Sequence, residues 1–257
     1  MDALDATLLD AVDADSVFVE TNGVRLHTVQ AGPDDGPLVV LLHGFPDCWY
    51  GWHRQLMPLA KAGYRVVIPD QRGYNLSDKP AGVDSYHIRE LAADIVGLID
   101  ALGYDQAAVA GHDWGAAVAW WLALEYPERL SKLCIVNVPH PTVFEQTLRS
   151  SWSQRKNSWY IAWFQLPVLP ELTLSLGDYW LLARSLESSS RPDAFTKTDM
   201  DRYRLAWSQP GALGGMLNWY RAIVRARPQP VRQRVETPTR ILWGADDEFL
   251  DSEMAHR

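Results

Sequence analysis

Cysteine is nearly absent. The 257 residues contain two, Cys48 and Cys134, far apart in the chain. That excludes a disulfide framework and a four-cysteine zinc site. Lysine is also scarce, 5 against 19 arginines, and acidic residues outnumber basic ones to give a net charge of −8 and a sequence pI near 5.3. Such a chain lacks the basic face that nucleic acids require, and it has no charge attraction to an anionic membrane. Long hydrophobic runs are missing too. The longest, Leu38–Leu42 and Ala116–Leu124, fall well short of the ~20 residues that span a bilayer. The opening stretch MDALDATLLDAVDAD is acidic and has no charged head followed by an apolar run. It does not read as a leader peptide, and a cytoplasmic location is expected. There is no His-x-x-x-His, no cysteine cluster, no acidic loop with calcium spacing and no phosphate-binding glycine loop. Neither metal nor cofactor is expected.

What is present is ordinary globular material. Hydrophobic residues make up 47% and charged residues 22%, which argues against disorder, collagen and coiled coil. The length suits one large α/β domain. Two biases remain. Aspartate outnumbers glutamate 22 to 10, which fits either a salt-adapted surface or the codon bias of a GC-rich genome. Of 12 tryptophans, Trp152, Trp159, Trp163, Trp180, Trp207 and Trp219 fall between Pro141 and Pro230. They suggest either an aromatic-lined pocket or a second small core.

The first half of the chain alternates strand and helix patterns. Ser16–Thr21 and Val24–Gln30 flank Asn22-Gly23, a hairpin signal. Pro37–Leu42 is an apolar run typical of a strand covered on both faces. Helix is expected over Trp49–Ala62, Tyr86–Leu102 and Trp114–Tyr126. Strand is expected over Tyr64–Pro69, Gln106–Gly111 and Leu130–Val138. Ile88, Leu91, Ile95, Leu98 and Ile99 form one helical stripe. The rhythm implies a parallel, doubly wound sheet. It stops at Pro139-His140-Pro141. From there to about Pro230 only helical periodicity is visible, and a strand pattern returns at Thr239–Trp243. The expected division is a core of residues 1–140 and 231–257 with a helical insertion of 141–230.

Gly111-His112-Asp113-Trp114-Gly115 follows an expected strand and opens an expected helix. That is the setting of a nucleophile elbow, in which glycines permit a sharp turn and the central residue projects outward. Here the central residue is aspartate. A carboxylate is ionised at pH 7 and needs no base to attack a saturated carbon, so Asp113 can form an alkyl ester. Water must then attack that ester, with help from a general base and an oxyanion hole. His43-Gly44-Phe45-Pro46 ends the preceding strand and should lie beside the elbow. The N–H groups of Phe45 and Trp114 would form the oxyanion hole, with Pro46 fixing the loop.

These segments, together with Asp70-Gln71-Arg72-Gly73-Tyr74, resemble the epoxide hydrolase branch of the α/β-hydrolase superfamily over nearly the whole chain. The resemblance implies an α/β-hydrolase fold with a mostly parallel sheet and a helical cap. It implies a small apolar epoxide and water as substrates. It also implies two cap tyrosines that donate protons or hydrogen bonds to the epoxide oxygen. Tyr160, in Trp159–Gln165, resembles the first, and Tyr220, in Leu217–Arg221, the second; either could also be a core tyrosine. Tyr179 and Tyr203 read as packing residues. The acid that orients the general base falls at Asp247, with Asp246 as a turn or surface residue. His43, Pro46 and Trp163 are expected to border the substrate pocket.

The order nucleophile, acid, histidine is not completed. After Asp247 the next histidine is His256, too close for the intervening helix and strand. The expectation is that the catalytic histidine, last strand and final helix lie outside these 257 residues. His27, His53 and His87 are expected away from the site, and His140 at the cap junction; His43 and His112, in the oxyanion loop and the elbow, are expected to provide structural hydrogen bonds. Two other functions compete. A haloalkane dehalogenase would use the same Asp113 but would need N–H donors for halide. A non-catalytic ligand receptor on the same fold would account for the absent histidine. The oligomeric state is not legible.

Overall fold

The computed structural model describes Leu9 and residues 13–226, 228–250 and 252–256, with all their side chains except those of residues 153, 155 and 157. Asn22 and Gly23, at φ 42° and 73°, supply the two left-handed residues of a tight hairpin turn. They join β1 (Asp15–Thr21) to β2 (Val24–Ala31). Then come β3 (Leu38–Leu42), α1 (His53–Lys61), β4 (Arg65–Pro69), α2 (Ile88–Ala101), β5 (Ala107–His112), α3 (Trp114–Glu125) and β6 (Leu130–Val136). With β7 (Thr239–Leu242) the strands form one sheet in the order β1-β2-β4-β3-β5-β6-β7. β1, β2 and β4 pair antiparallel, and β4, β3, β5, β6 and β7 pair parallel. The sheet is therefore mostly parallel, with an antiparallel hairpin at one edge.

Burial follows the sequence pattern. Every residue of β3 is buried, as expected for a strand covered on both faces. The stripe Ile88, Leu91, Ile95, Leu98 and Ile99 packs α2 onto the sheet. α3 is buried nearly all round, with Trp120, Trp121, Leu122 and Leu124 inside. A helix with apolar residues on every side belongs to the interior.

Between β6 and β7 the described residues form helices only: α4 (Pro141–Ser150), α5 (Trp152–Asn157), α6 (Trp159–Trp163), α7 (Leu169–Ser188), α8 (Lys197–Ser208) and α9 (Ala212–Ala226). α7 is two helices joined across a left-handed turn at Gly177, Asp178 and Tyr179. Thr196 and Asp199 cap α8 reciprocally. The six tryptophans of this segment differ in burial, with Trp163 half-buried. Trp207 and Trp219 are buried in the core, whereas Trp152, Trp159 and Trp180 are exposed.

Several boundaries differ from the sequence reading by a few residues, two of them with a visible cause. Trp49–Trp52 forms a 3-10 turn, and α1 begins only at His53. β6 ends at Val136 because Asn137 adopts φ 60°. Among the described residues no helix is long and apolar enough to cross a membrane.

Candidate active site

Asp113 sits in the turn between β5 and α3 at φ 51°, ψ −123°, a conformation costly for a residue with a side chain. Its neighbours are glycine for steric reasons. A Cβ on Gly111 would stand 2.3 Å from the Gly115 carbonyl oxygen, and one on Gly115 would stand 2.2 Å from that of Leu42. A Cβ on Gly44 would meet the Asp113 Cβ at 2.3 Å. The turn therefore presses the elbow against the end of β3.

That contact aligns the hydrogen bonds of the site. The Phe45 N–H donates to Asp113 Oδ1 at 2.7 Å. The Trp114 N–H also favours the charged form of the carboxylate. Burial pushes the Asp113 carboxyl above the usual carboxylate range. His112 and the two N–H groups pull it back, and Asp247 adds to the rise.

The helical segment between β6 and β7 carries two phenols. Tyr160 lies on α6 and Tyr220 on α9, with ring centroids 5.9 Å apart. Burial raises both above the ordinary phenol range, and the charge of Asp113 raises them further. Both hydroxyls therefore feel the elbow carboxylate, Tyr160 that of Asp247 as well. Tyr220 is packed edge-on by Phe45, Trp114 and Phe164 at 5.3, 5.0 and 4.8 Å.

Side chains between the two helices fix the spacing of the phenols. Gln165 Nε2 donates to the Ile161 and Tyr220 carbonyls at 3.0 and 3.1 Å. Arg221 donates to the Phe164 and Leu166 carbonyls at 3.0 and 2.9 Å and grips both oxygens of Glu171 at 2.7 and 3.1 Å.

Asp247 follows β7. Its Oδ2 accepts from Asn137 Nδ2, and its Oδ1 accepts the N–H groups of Phe249 and Leu250, each at 2.8 Å. Asn137 also takes the Gly244 N–H on its Oδ1 at 3.1 Å. The side chain that ends β6 thus holds the turn that presents Asp247. Asp246 is exposed. Among the described residues no histidine hydrogen-bonds Asp247, and His256 lies on the 3-10 turn Ser252–His256.

Other expectations resolve individually. His43 does not line an open pocket. It is fully buried, with Nδ1 against the Gly44 carbonyl at 3.0 Å and Nε2 accepting the Gln71 N–H at 3.1 Å, so it braces the loop. Pro46 is buried, and its carbonyl accepts the Trp207 indole N–H at 2.5 Å. Trp163 is half-buried and packs on Trp159 and Phe164. Tyr203 is buried and packs on Tyr50, Phe195 and Trp207. No individual role was expected of Asn137, Phe164, Gln165, Trp207 or Arg221, although Phe164, Gln165 and Arg221 fall within the two tyrosine segments. Each acts on a partner distant in the chain, which the local sequence does not record. Among the described residues no group of three or more His, Cys, Asp or Glu could hold a metal.

Residues 37–256 match the alpha/beta hydrolase fold family. The chain belongs to the α/β-hydrolase fold family. One relative in it, the AB hydrolase superfamily protein YfhM of Bacillus subtilis, is 52% identical over 238 residues, covering 93% of this chain and 83% of YfhM. Epoxide hydrolase 4 of Mus musculus is 41% identical over 244 residues, covering 93% of this chain and 67% of its own length. Among solved structures, an epoxide hydrolase of Bacillus megaterium in complex with an inhibitor superimposes with a TM-score of 0.85 at 33% identity, covering 93% of this chain and 86% of the other. The α/β-hydrolase sheet seen here is thus shared with proteins named for epoxide hydrolysis.

Proposed function

We propose that this α/β-hydrolase opens epoxides to vicinal diols through an alkyl ester on Asp113, with helices α4–α9 serving as a cap over the elbow. The observation that carries the reading is the opposition of one elbow carboxylate to two cap phenols. Ring opening needs a nucleophile on carbon and a proton or strong hydrogen bonds on the departing oxygen. Asp113 would supply the first, and Tyr160 and Tyr220 the second. The similarity to epoxide hydrolases supports the same substrate class.

In this mechanism Oδ1 stays with the Phe45 N–H while Oδ2 attacks the less hindered ring carbon. The C–O bond of the ring breaks, and a tyrosine proton goes to the oxygen. Oδ1 becomes the ester carbonyl, already seated against the Phe45 N–H, which together with the Trp114 N–H would stabilise its negative charge when water adds. No reorganisation of the loop is needed between the two steps. Aromatic walls from Phe45, Trp114 and Phe164 favour an apolar substituent.

Hydrolysis of the ester needs a base oriented by an acid, and Asp247 would be that acid. None of the described histidines bonds it. A polypeptide limited to these residues is expected to form the ester faster than it releases diol. Quenching in acid at successive times after mixing with styrene oxide tests this. Ester should appear before diol. Diol without detectable ester counts against the reading.

A further inference from the structure

Away from the elbow, the antiparallel edge of the sheet carries a second line of hydrogen bonds that the proposed mechanism does not use. Ser16 Oγ on β1 lies 2.8 Å from His27 Nε2 on β2, and His27 Nδ1 lies 2.6 Å from Asp70 Oδ2 at the end of β4. We propose that Ser16, His27 and Asp70 form a second nucleophilic site, which accepts an acyl or phosphonyl group from an activated ester or halide.

The proton positions follow from the partners. Asp70 is fully buried and accepts the Trp49 N–H at 2.9 Å and Asn75 Nδ2 at 2.8 Å. A carboxylate held by donors on both oxygens acts as the acceptor toward His27 as well. The imidazole proton then sits on Nδ1, and Nε2 carries the lone pair. Ser16 therefore donates its hydroxyl proton to a base that a buried carboxylate orients. The His27 ring is 2% exposed, whereas Ser16 is half-buried. The nucleophile is thus at the surface and its base is inside.

The hairpin register supplies an oxyanion donor. Thr21 and Val24 close a two-residue turn and exchange both backbone hydrogen bonds, so pairs alternate outward from there. By that count Phe18↔His27 and Ser16↔Val29 are pairs whose N–H groups point away from each other. His27 obeys the rule. Its N–H goes to Ser77 Oγ at 2.9 Å, and its carbonyl accepts the Asp70 N–H at 2.8 Å, both on the side opposite β1. The Ser16 N–H accordingly faces the open edge of β1, the outermost strand. An acyl oxygen could take that N–H while Oγ attacks the acyl carbon. Phe18, two residues on and 46% exposed, offers an apolar face for the acyl substituent.

In the reaction the Ser16 Oγ–acyl bond forms and the ester C–O bond breaks. The serine proton passes to His27 Nε2 and then to the departing oxygen. Water, activated by the same nitrogen, releases the acid and restores Ser16. With a fluorophosphonate the bond broken is P–F, fluoride departs, and the phosphonyl-serine is stable.

The test is to incubate the protein with an alkyl fluorophosphonate and map the adducts by peptide mass spectrometry. Ser16 should be labelled at least about 10²-fold faster than the exposed serines Ser150 and Ser188, the acceleration a positioned base provides. Ser16→Ala should lose that adduct and leave alkylation of Asp113 by styrene oxide unchanged. Labelling in urea separates base activation from simple exposure, because unfolding disperses the three residues. Ser16 should then react no faster than the other serines. Ser16 unlabelled, labelled at the rate of Ser150 and Ser188 in the folded protein, or retaining its advantage in urea would each overturn the proposal.

Discussion

Phe45 gives its backbone N–H to Oδ1 of Asp113 at 2.7 Å across 68 positions of sequence. The bond exists because β3 and β5 are parallel neighbours in a register that pairs Leu42 with Gly111. Both strands end at the same level, so the loop after one meets the turn after the other. These carboxyl ends flank β3, where the strand order changes direction, and open sheets bind ligands at such points.

Replacing either cap phenol should slow ring opening and leave the fold intact. Tyr220→Phe and Tyr160→Phe keep the rings that pack against Phe164 and remove only an O–H. Each should lower single-turnover ester formation by about 10²-fold, and the double variant should approach the background rate. Rapid-quench measurement with styrene oxide checks this. Release of halide from haloalkanes, unaffected by both changes, would point to the dehalogenase alternative.

The pH profile of ester formation should be wide. Asp113 must be ionised, and burial followed by Asp247 raises its carboxyl. The acid limb should therefore lie above the ~3.9 of a free aspartate. The phenols must be protonated, and burial with Asp113 raises both. The alkaline limb should therefore lie above the ~10 of free tyrosine. Single-turnover rates from pH 4 to 11 would display the acid limb and should show no alkaline fall up to the pH at which free tyrosine ionises. An alkaline limb below that of free tyrosine would contradict the assignment of the phenols as donors.

Gly115→Ala should destabilise the protein without touching a functional group. The added Cβ would meet the Leu42 carbonyl at 2.2 Å, a backbone atom that cannot swing aside. A loss of about 3 kcal/mol is expected, the upper end for overpacking. Urea unfolding reads it as a lower midpoint at unchanged slope.

Arg221→Ala should cost stability and activity together. It leaves Glu171 without its partner and frees the Phe164 and Leu166 carbonyls. Breaking a largely buried pair of this kind costs about 3 kcal/mol. Ester formation should fall because the Tyr160–Tyr220 spacing is no longer fixed. Arg221→Lys should recover little, since an ammonium cannot grip both carboxylate oxygens. Thermal melts and rapid-quench rates on both variants provide the comparison.

The sheet was legible because its strands are short apolar runs between glycines and prolines, and the elbow because its glycines are fixed by backbone contact. Asp113, Phe45 and Trp114 all fall within local motifs. Gln165 and Arg221 were not legible. Their work is to tie the loop after α6 to α9, and nothing near them in sequence records which carbonyls they reach. Asn137 is similar, since it acts on Asp247 from the end of a different strand. The bracing role of His43 was legible from its place in the loop after β3, but its partner, the Gln71 N–H, was not. Trp152, Trp159 and Trp180 looked equivalent to Trp207 and Trp219, but composition cannot tell an exposed indole from a buried one.

The most direct test of the account is the site of covalent attachment. Mix the 257-residue protein with styrene oxide, quench in acid, and measure intact mass and peptide masses. The account requires one equivalent of epoxide bound as an ester in the peptide containing Asp113, and no adduct in Asp113→Asn, which keeps the shape of the side chain without its nucleophilic oxygen. An adduct on another residue, an adduct that persists in Asp113→Asn, or sustained diol formation with no ester at any time would contradict it.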